Sequence, residues 1–143
     1  MEPFEEGQSV WFRNINRGKQ SVVLDLKQKD NLQKLYGLVE ESDIFVEAFR
    51  PGVANRLEID YETLSAINPR IIYCSISAFG QDGPLAHHPA HDLAVEAFAG
   101  FMSVNDKGDG EPVVPAFPAA DASASLVALS GILMALIGRE RTG

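Results

Sequence analysis

The chain has 143 residues, enough for one domain with a real core and too few for two comfortable ones. Hydrophobic residues make up 45% and charged residues 22%, the balance of a soluble globular protein, and a formal net charge of -8 argues against nucleic-acid binding, which wants a basic face. No run of about 18 purely apolar residues is present, so no membrane span is expected, and the single cysteine, Cys74, leaves no intrachain disulfide and no Cys-rich zinc site.

The opening Met1-Glu2-Pro3-Phe4-Glu5-Glu6 is acidic and lacks an apolar region, so it is not a secretory signal and the cytoplasm is the expected compartment. A basic turn, Asn16-Arg17-Gly18-Lys19, leads into Ser21 to Leu26, whose β-branched, apolar character predicts a strand. Asp30 is expected to cap a helix with Leu32, Leu35, Tyr36 and Val39 on one face. Asp43 to Ala48 predicts a second strand, ended by Arg50-Pro51-Gly52. A short helix is expected over 53–57, then another capped by Asp60, with Tyr61, Leu64 and Ile67 turned inward. Arg70 to Ser77 is a third, almost continuously apolar strand, within which Cys74 reads as core. Strands alternating with helices predict an open, mostly parallel, Rossmann-like α/β sheet, its three strands parallel neighbours, with helices on its faces and a helical segment after it.

Beyond Ser77 the pattern changes. Gly80, Gly83, Pro84 and Pro89 mark a loop, and a helix is predicted over about 91–102. Residues 105–110 read as a solvated turn, and Pro112, Pro115 and Pro118 hold the next stretch extended. The last helix is predicted to start near Asp121 and to end with Arg139, Arg141 and Gly143, where basic residues suit the helix dipole. Its apolar run from Leu126 to Ile137 reads as a buried core helix. A doubly wound domain opens on a strand and a tight turn, whereas this chain opens in loop-like sequence and stops on a helix, so it reads as a piece of something longer.

Asp121 is the leading candidate for chemistry. Among small residues at a helix start it fits two readings: an N-cap that accepts from free helix N–H groups, or a carboxylate nucleophile with room for a substrate beside it. Spacing does not choose between them. His91 opens the preceding helix and titrates near neutrality, which suits proton transfer as well as a plain surface position; His87 and His88 read as surface. Arg50 lies at the carboxyl end of a strand beside a helix start, a position that suits phosphate or a simple turn. Arg17, Lys19 and Lys27 bracket the first strand. No glycine pattern forms a dinucleotide fingerprint or a P-loop, and no ligand cluster has metal spacing, so no metal is expected.

The residues from Asn16 to Lys27 resemble the NRGKRSxxLDLK signature of class III coenzyme A-transferases. Phe45 to Val53 is similar to the family's VENFRPGV segment, Asn68 to Pro84 to NPRLIYxSxSGFGQxGP, and Arg139 to Gly143 to RERTG. The match covers nearly the whole chain in order. It implies a partial large domain over residues 1–143, without the opening βα unit and the second domain. The family holds carnitine, bile-acid and formyl-CoA:oxalate CoA-transferases and α-methylacyl-CoA racemase, and its members form interlocked homodimers. Carried over, Asp121 falls on the catalytic aspartate, and coenzyme A contacts fall on Leu24, Lys27, Ala48, Phe49 and Arg56, with Arg50 nearby. Ala48 stands where ENFRPG has asparagine, and Ala78 where a glycine is common. His91 falls where transferases often have tyrosine and racemases have histidine.

The resemblance implies an enzyme that moves coenzyme A from an acyl-CoA to a carboxylate acceptor through an aspartyl mixed anhydride and an aspartyl-CoA thioester. One alternative is racemisation at the carbon α to the thioester, with His91 and Asp121 as acid and base. Another is an inactive piece that binds coenzyme A or serves in interaction.

Overall fold

A tight turn opens the structure, a computed structural model that describes residues 3–105 and 108–142. Met1, Glu2 and Gly143, and Asp106 and Lys107 of the expected solvated turn, lie outside the described residues. Glu6 and Gly7 both have positive φ, 51° and 78°, the turn geometry whose twist matches a hairpin. They join β1 (Phe4–Glu5) antiparallel to β2 (Gln8–Ser9). Ser9 then caps α1 (Val10–Ile15), its hydroxyl accepting from the Phe12 N–H at 3.3 Å. This opening was expected to be loop-like; its signal was a Gly-containing two-residue turn followed by Ser9 as a cap.

Residues 21–26 form no strand, contrary to expectation. Val22 and Val23 are 64% and 93% exposed. Strand propensity expresses itself only against a neighbouring strand, and none lies alongside among the described residues. The chain turns instead: the Asp25 carboxylate accepts from the Lys27 N–H at 3.1 Å, and Gln28 N–H bonds the Asp25 carbonyl at 2.9 Å. That turn delivers α2 (Lys29–Glu40). Asp30 is not its cap, because Gln28 holds that position; Asp30 lies in the first turn, where a negative charge suits the dipole. The expected face is the buried one, with Leu32 and Val39 inside and Leu35 and Tyr36 half-buried.

β3 (Ile44–Glu47) follows, then α3 (Val53–Arg56), α4 (Tyr61–Ile67) and β4 (Ile72–Ser75). β3 and β4 pair in parallel from Ile44 opposite Ile72 to Glu47 opposite Ser75. Two of the three expected strands are therefore parallel neighbours, each shorter than predicted. As expected, Asp60 caps α4, accepting from the Thr63 N–H at 3.1 Å and the Thr63 hydroxyl at 2.9 Å. The core gathers Leu32, Val39, Ile59, Leu64 and Ile71 between this sheet and its helices. Tyr61, expected inward, is 53% exposed, with its ring edge-on to Tyr73 at 6.1 Å.

The helix predicted over 91–102 is two helices, α5 (Asp92–Phe98) and α6 (Phe101–Val104). Gly100 separates them with φ 77°, a conformation that its missing Cβ permits. α7 (Ala119–Thr142) then packs on α5 and β4. It is not a buried core helix: Leu126, Val127, Leu129, Leu133, Met134 and Ile137 are each more than half exposed. Its apolar residues are spread around the axis, so one contact face cannot cover them. By length and composition α7 is long and apolar enough to cross a membrane, a test that the core helix of a soluble protein also passes. Near its end Arg139 does more than suit the dipole. It donates to Asp43 at 2.7 Å and to the Arg70 carbonyl at 2.9 Å, pinning α7 beside the starts of both strands.

Candidate functional site

The carboxyl ends of β3 and β4 lead into two loops that face each other. At the end of β3 the buried Glu47 accepts from the Phe49 N–H at 2.7 Å, which fixes the course of Ala48-Phe49-Arg50. Glu47 and burial also act on Tyr73 one strand away. Burial first, then the Glu47 charge, pushes its phenol up to about 12. Gly52 leads α3 with φ 79°, and the Arg56 guanidinium comes back over it, 3.5 Å from the position a Cβ would take. Arg56 is thereby held near the Arg50-Pro51-Gly52 turn.

Ala48, Phe49 and Arg50 line a cleft of about 80 Å³ whose other wall is Ile76, Ser77, Ala78, His88, Pro89 and Ala90. His88 was read as a surface residue; it is exposed and it lines this wall. Leu24 is half-buried and Lys27 exposed on the turn before α2, and neither lines this cleft.

The wall continues directly into His91, which leads α5 without using its side chain as a cap. Asp92 reaches the start of α7: its carboxylate accepts from the Asp121 N–H at 2.9 Å. Glu96, one turn later, accepts from the Ala119 N–H at 2.7 Å. The amino ends of α5 and α7 are thus tied together, and His91 and Asp121 share one corner. No hydrogen bond joins their side chains among the described residues.

Asp121 is not the N-cap that the sequence suggested. Pro118 precedes the helix, and its carbonyl accepts the first helical bond, from Ala122 N–H at 3.0 Å. Asp121 is the third helical residue, exposed, and no described residue donates to its carboxylate. On the same helix face, three and seven residues on, Ala124 and Ala128 floor a second cleft of about 290 Å³. Its far wall is Cys74, Ser75, Ile76, Ser77, Gly80 and Gln81. The Gln81 amide donates to the Ser75 hydroxyl at 2.7 Å and shapes that wall. Glu96 was missed by the sequence reading, since a glutamate in a helix carries no mark of burial.

The profile of CoA-transferase family III matches residues 1–143. The chain is 44% identical over 142 residues to an acetyl-CoA:oxalate CoA-transferase of Acetobacter aceti, covering 99% of this chain and 36% of that protein. It is 35% identical to a succinyl-CoA:glutarate CoA-transferase of Mus musculus, covering 99% of this chain and 32% of that protein. A solved CAIB/BAIF family protein from Brucella suis superposes with a TM-score of 0.91 at 36% identity, covering 97% of this chain and 37% of that one. The chain spans about a third of the length of the curated relatives it matches.

Proposed function

The chain belongs to CoA-transferase family III, and on that premise we propose that it carries the nucleophile and part of the coenzyme A site of an enzyme that moves coenzyme A between carboxylic acids. The observation that carries the reading is Asp121: an exposed carboxylate with no described donor, at a helix start among small residues and one turn before Ala124, which lines the second cleft.

The chemistry follows from a carboxylate meeting a thioester. An Asp121 oxygen attacks the acyl carbonyl, the C–S bond breaks, and coenzyme A leaves as thiolate from a mixed anhydride. The thiolate attacks the aspartyl carbonyl, expels the donor carboxylate and forms an aspartyl-CoA thioester. The acceptor carboxylate attacks that thioester and again releases thiolate. Thiolate attack on the acceptor's carbonyl then gives the new acyl-CoA and frees Asp121. Each step preserves acyl activation, so no external energy source is consumed.

Coenzyme A is anionic, so its phosphates call for cations even on an acidic chain. Arg50 and Arg56 at the carboxyl end of β3 are proposed to hold phosphate, with Phe49 and Ala48 beside them and Leu24 and Lys27 contributing from the turn before α2. Arg50→Ala and Arg56→Ala should weaken coenzyme A binding in calorimetry, more at low salt than at high salt. Unchanged affinity in both variants would remove this site.

One observation favours a second reading. His91 does not spend its side chain on capping, so its ring is available to exchange an α-proton with Asp121 as the opposing group. A single experiment separates the two. Acyl-CoA followed by hydroxylamine converts an activated Asp121 to a hydroxamate seen by mass spectrometry; a racemase gives no adduct and loses α-deuterium instead. Transfer is the first choice because the relatives described above are named for it.

A further inference from the structure

We infer that Glu96 is a positioning residue: by occupying the amino end of α7 from outside, it keeps the Asp121 carboxylate from folding back as a cap and leaves it free for substrate. The inference rests on the reading of Asp121 as the nucleophile.

The argument begins with what an acid at the third helical position ordinarily does. Its side chain points back toward the helix start and serves the unpaired N–H groups there. In α7 three of the four groups there are absent or taken, and only the Ala120 N–H has no partner among the described residues. Pro118, at the capping position, has no N–H to offer. The N–H of Ala119 is held by Glu96 Oε1 at 2.7 Å, and the N–H of Asp121 itself by Asp92 Oδ1 at 2.9 Å. What remains is an exposed carboxylate that no described residue donates to.

The cost of this arrangement points the same way. Glu96 is only 3% exposed, and its second oxygen, Oε2, is buried with no partner among the described residues. A buried unsatisfied carboxylate oxygen is expensive and calls for a role. A glutamine or a leucine on this face of α5 would avoid the charge. Glu96 lines neither cleft, so it acts through α7 and not on the substrate.

The test uses Glu96→Leu, which fills the space but frees the Ala119 N–H, Glu96→Gln, which keeps an oxygen acceptor, and Glu96→Leu/Ala119→Pro, which deletes the freed donor at a position where proline is tolerated. The first readout needs no activity: the ¹³Cγ resonance of Asp121 in the [4-¹³C]aspartate-labelled protein. It should move in Glu96→Leu, stay in Glu96→Gln and return in the double variant. The second readout is hydroxylamine trapping, which should slow by about tenfold to a hundredfold in Glu96→Leu at unchanged KM, and recover in the double variant. A folded Glu96→Leu with an unmoved Asp121 signal overturns the inference. So does a Glu96→Leu that does not fold and is not rescued by Ala119→Pro, since Glu96 then serves stability alone. If the wild type forms no adduct, the transfer reading fails, while the resonance still decides the role of Glu96.

Discussion

At the scale of single residues, a carboxylate is assigned its task by its hydrogen-bond partners. Asp60 and Asp121 both stand at helix starts. The Asp60 carboxylate receives the Thr63 amide and hydroxyl; the Asp121 carboxylate receives nothing from the described residues. Burial pushes the Asp60 carboxyl up, but the bonds from the Thr63 amide and hydroxyl, helped by its own backbone and Glu62, hold it below its usual value. A lowered native value means stability that is present above the unfolded value of 3.8 and lost as pH falls through the native one. Asp60→Ala should cost about 1 kcal/mol in urea melts, and Asp60→Asn less, with a shallower acid limb. Asp121→Asn should leave the melting temperature nearly unchanged while abolishing the hydroxamate. An active Asp121→Asn variant would refute the covalent route.

Tyr73 gives the opposite sign. Its phenol is raised from 10.0 to about 12 by burial and then by Glu47. The folded state holds this proton more tightly than the unfolded chain, so the associated stability is complete below pH 10 and is lost between 10 and about 12. Tyr73→Phe should therefore flatten the alkaline limb of a stability-versus-pH curve over that window. A curve identical to wild type there would show that Tyr73 is not the group responsible.

At the scale of elements, α2 and α4 supply most of the core on which β3 and β4 rest. Leu64 is fully buried at 0% exposure, in one cluster with Leu32, Val39, Ile59 and Ile71. Leu64→Ala should cost about 2–5 kcal/mol in chemical denaturation, the loss of transfer energy plus a cavity. A loss near zero would mean that the site is not packed as described. Gly52 shows how one backbone angle serves the site. Its φ of 79° turns the chain after Arg50 into α3, and an L-residue there pays about 1–2 kcal/mol.

At the scale of the whole molecule, exposed apolar side chains are not confined to α7: Phe12, Val23, Phe98 and Val104 are also more than 60% exposed. Leu126 and Met134 are 66% and 68% exposed. Charged substitutions at such positions normally change stability by less than about 0.5 kcal/mol. Leu126→Lys and Met134→Glu should accordingly preserve the melting temperature while reducing binding of an apolar dye. A marked fall in melting temperature would show that those side chains are covered in solution.

The sequence by itself determined whatever rests on local chemistry. Its periodicity placed the buried face of α2, Asp60 was legible as a cap because its side chain bonds only three residues ahead, and the apolar runs marked β3 and β4. Its linked motifs pointed to the family that the profile match established. Tertiary structure decided the rest, because those outcomes depend on groups distant in the chain. Ser21 to Leu26 has strand composition yet forms no ladder, since a strand needs a neighbour that local sequence cannot supply. Asp121 is not the cap because α7 begins two residues earlier, after Pro118, and the N–H groups of Ala119 and Asp121 are held by Glu96 and Asp92 from a different helix. Local pattern announces that a carboxylate stands at a helix start; only packing determines whether its oxygens are already spent.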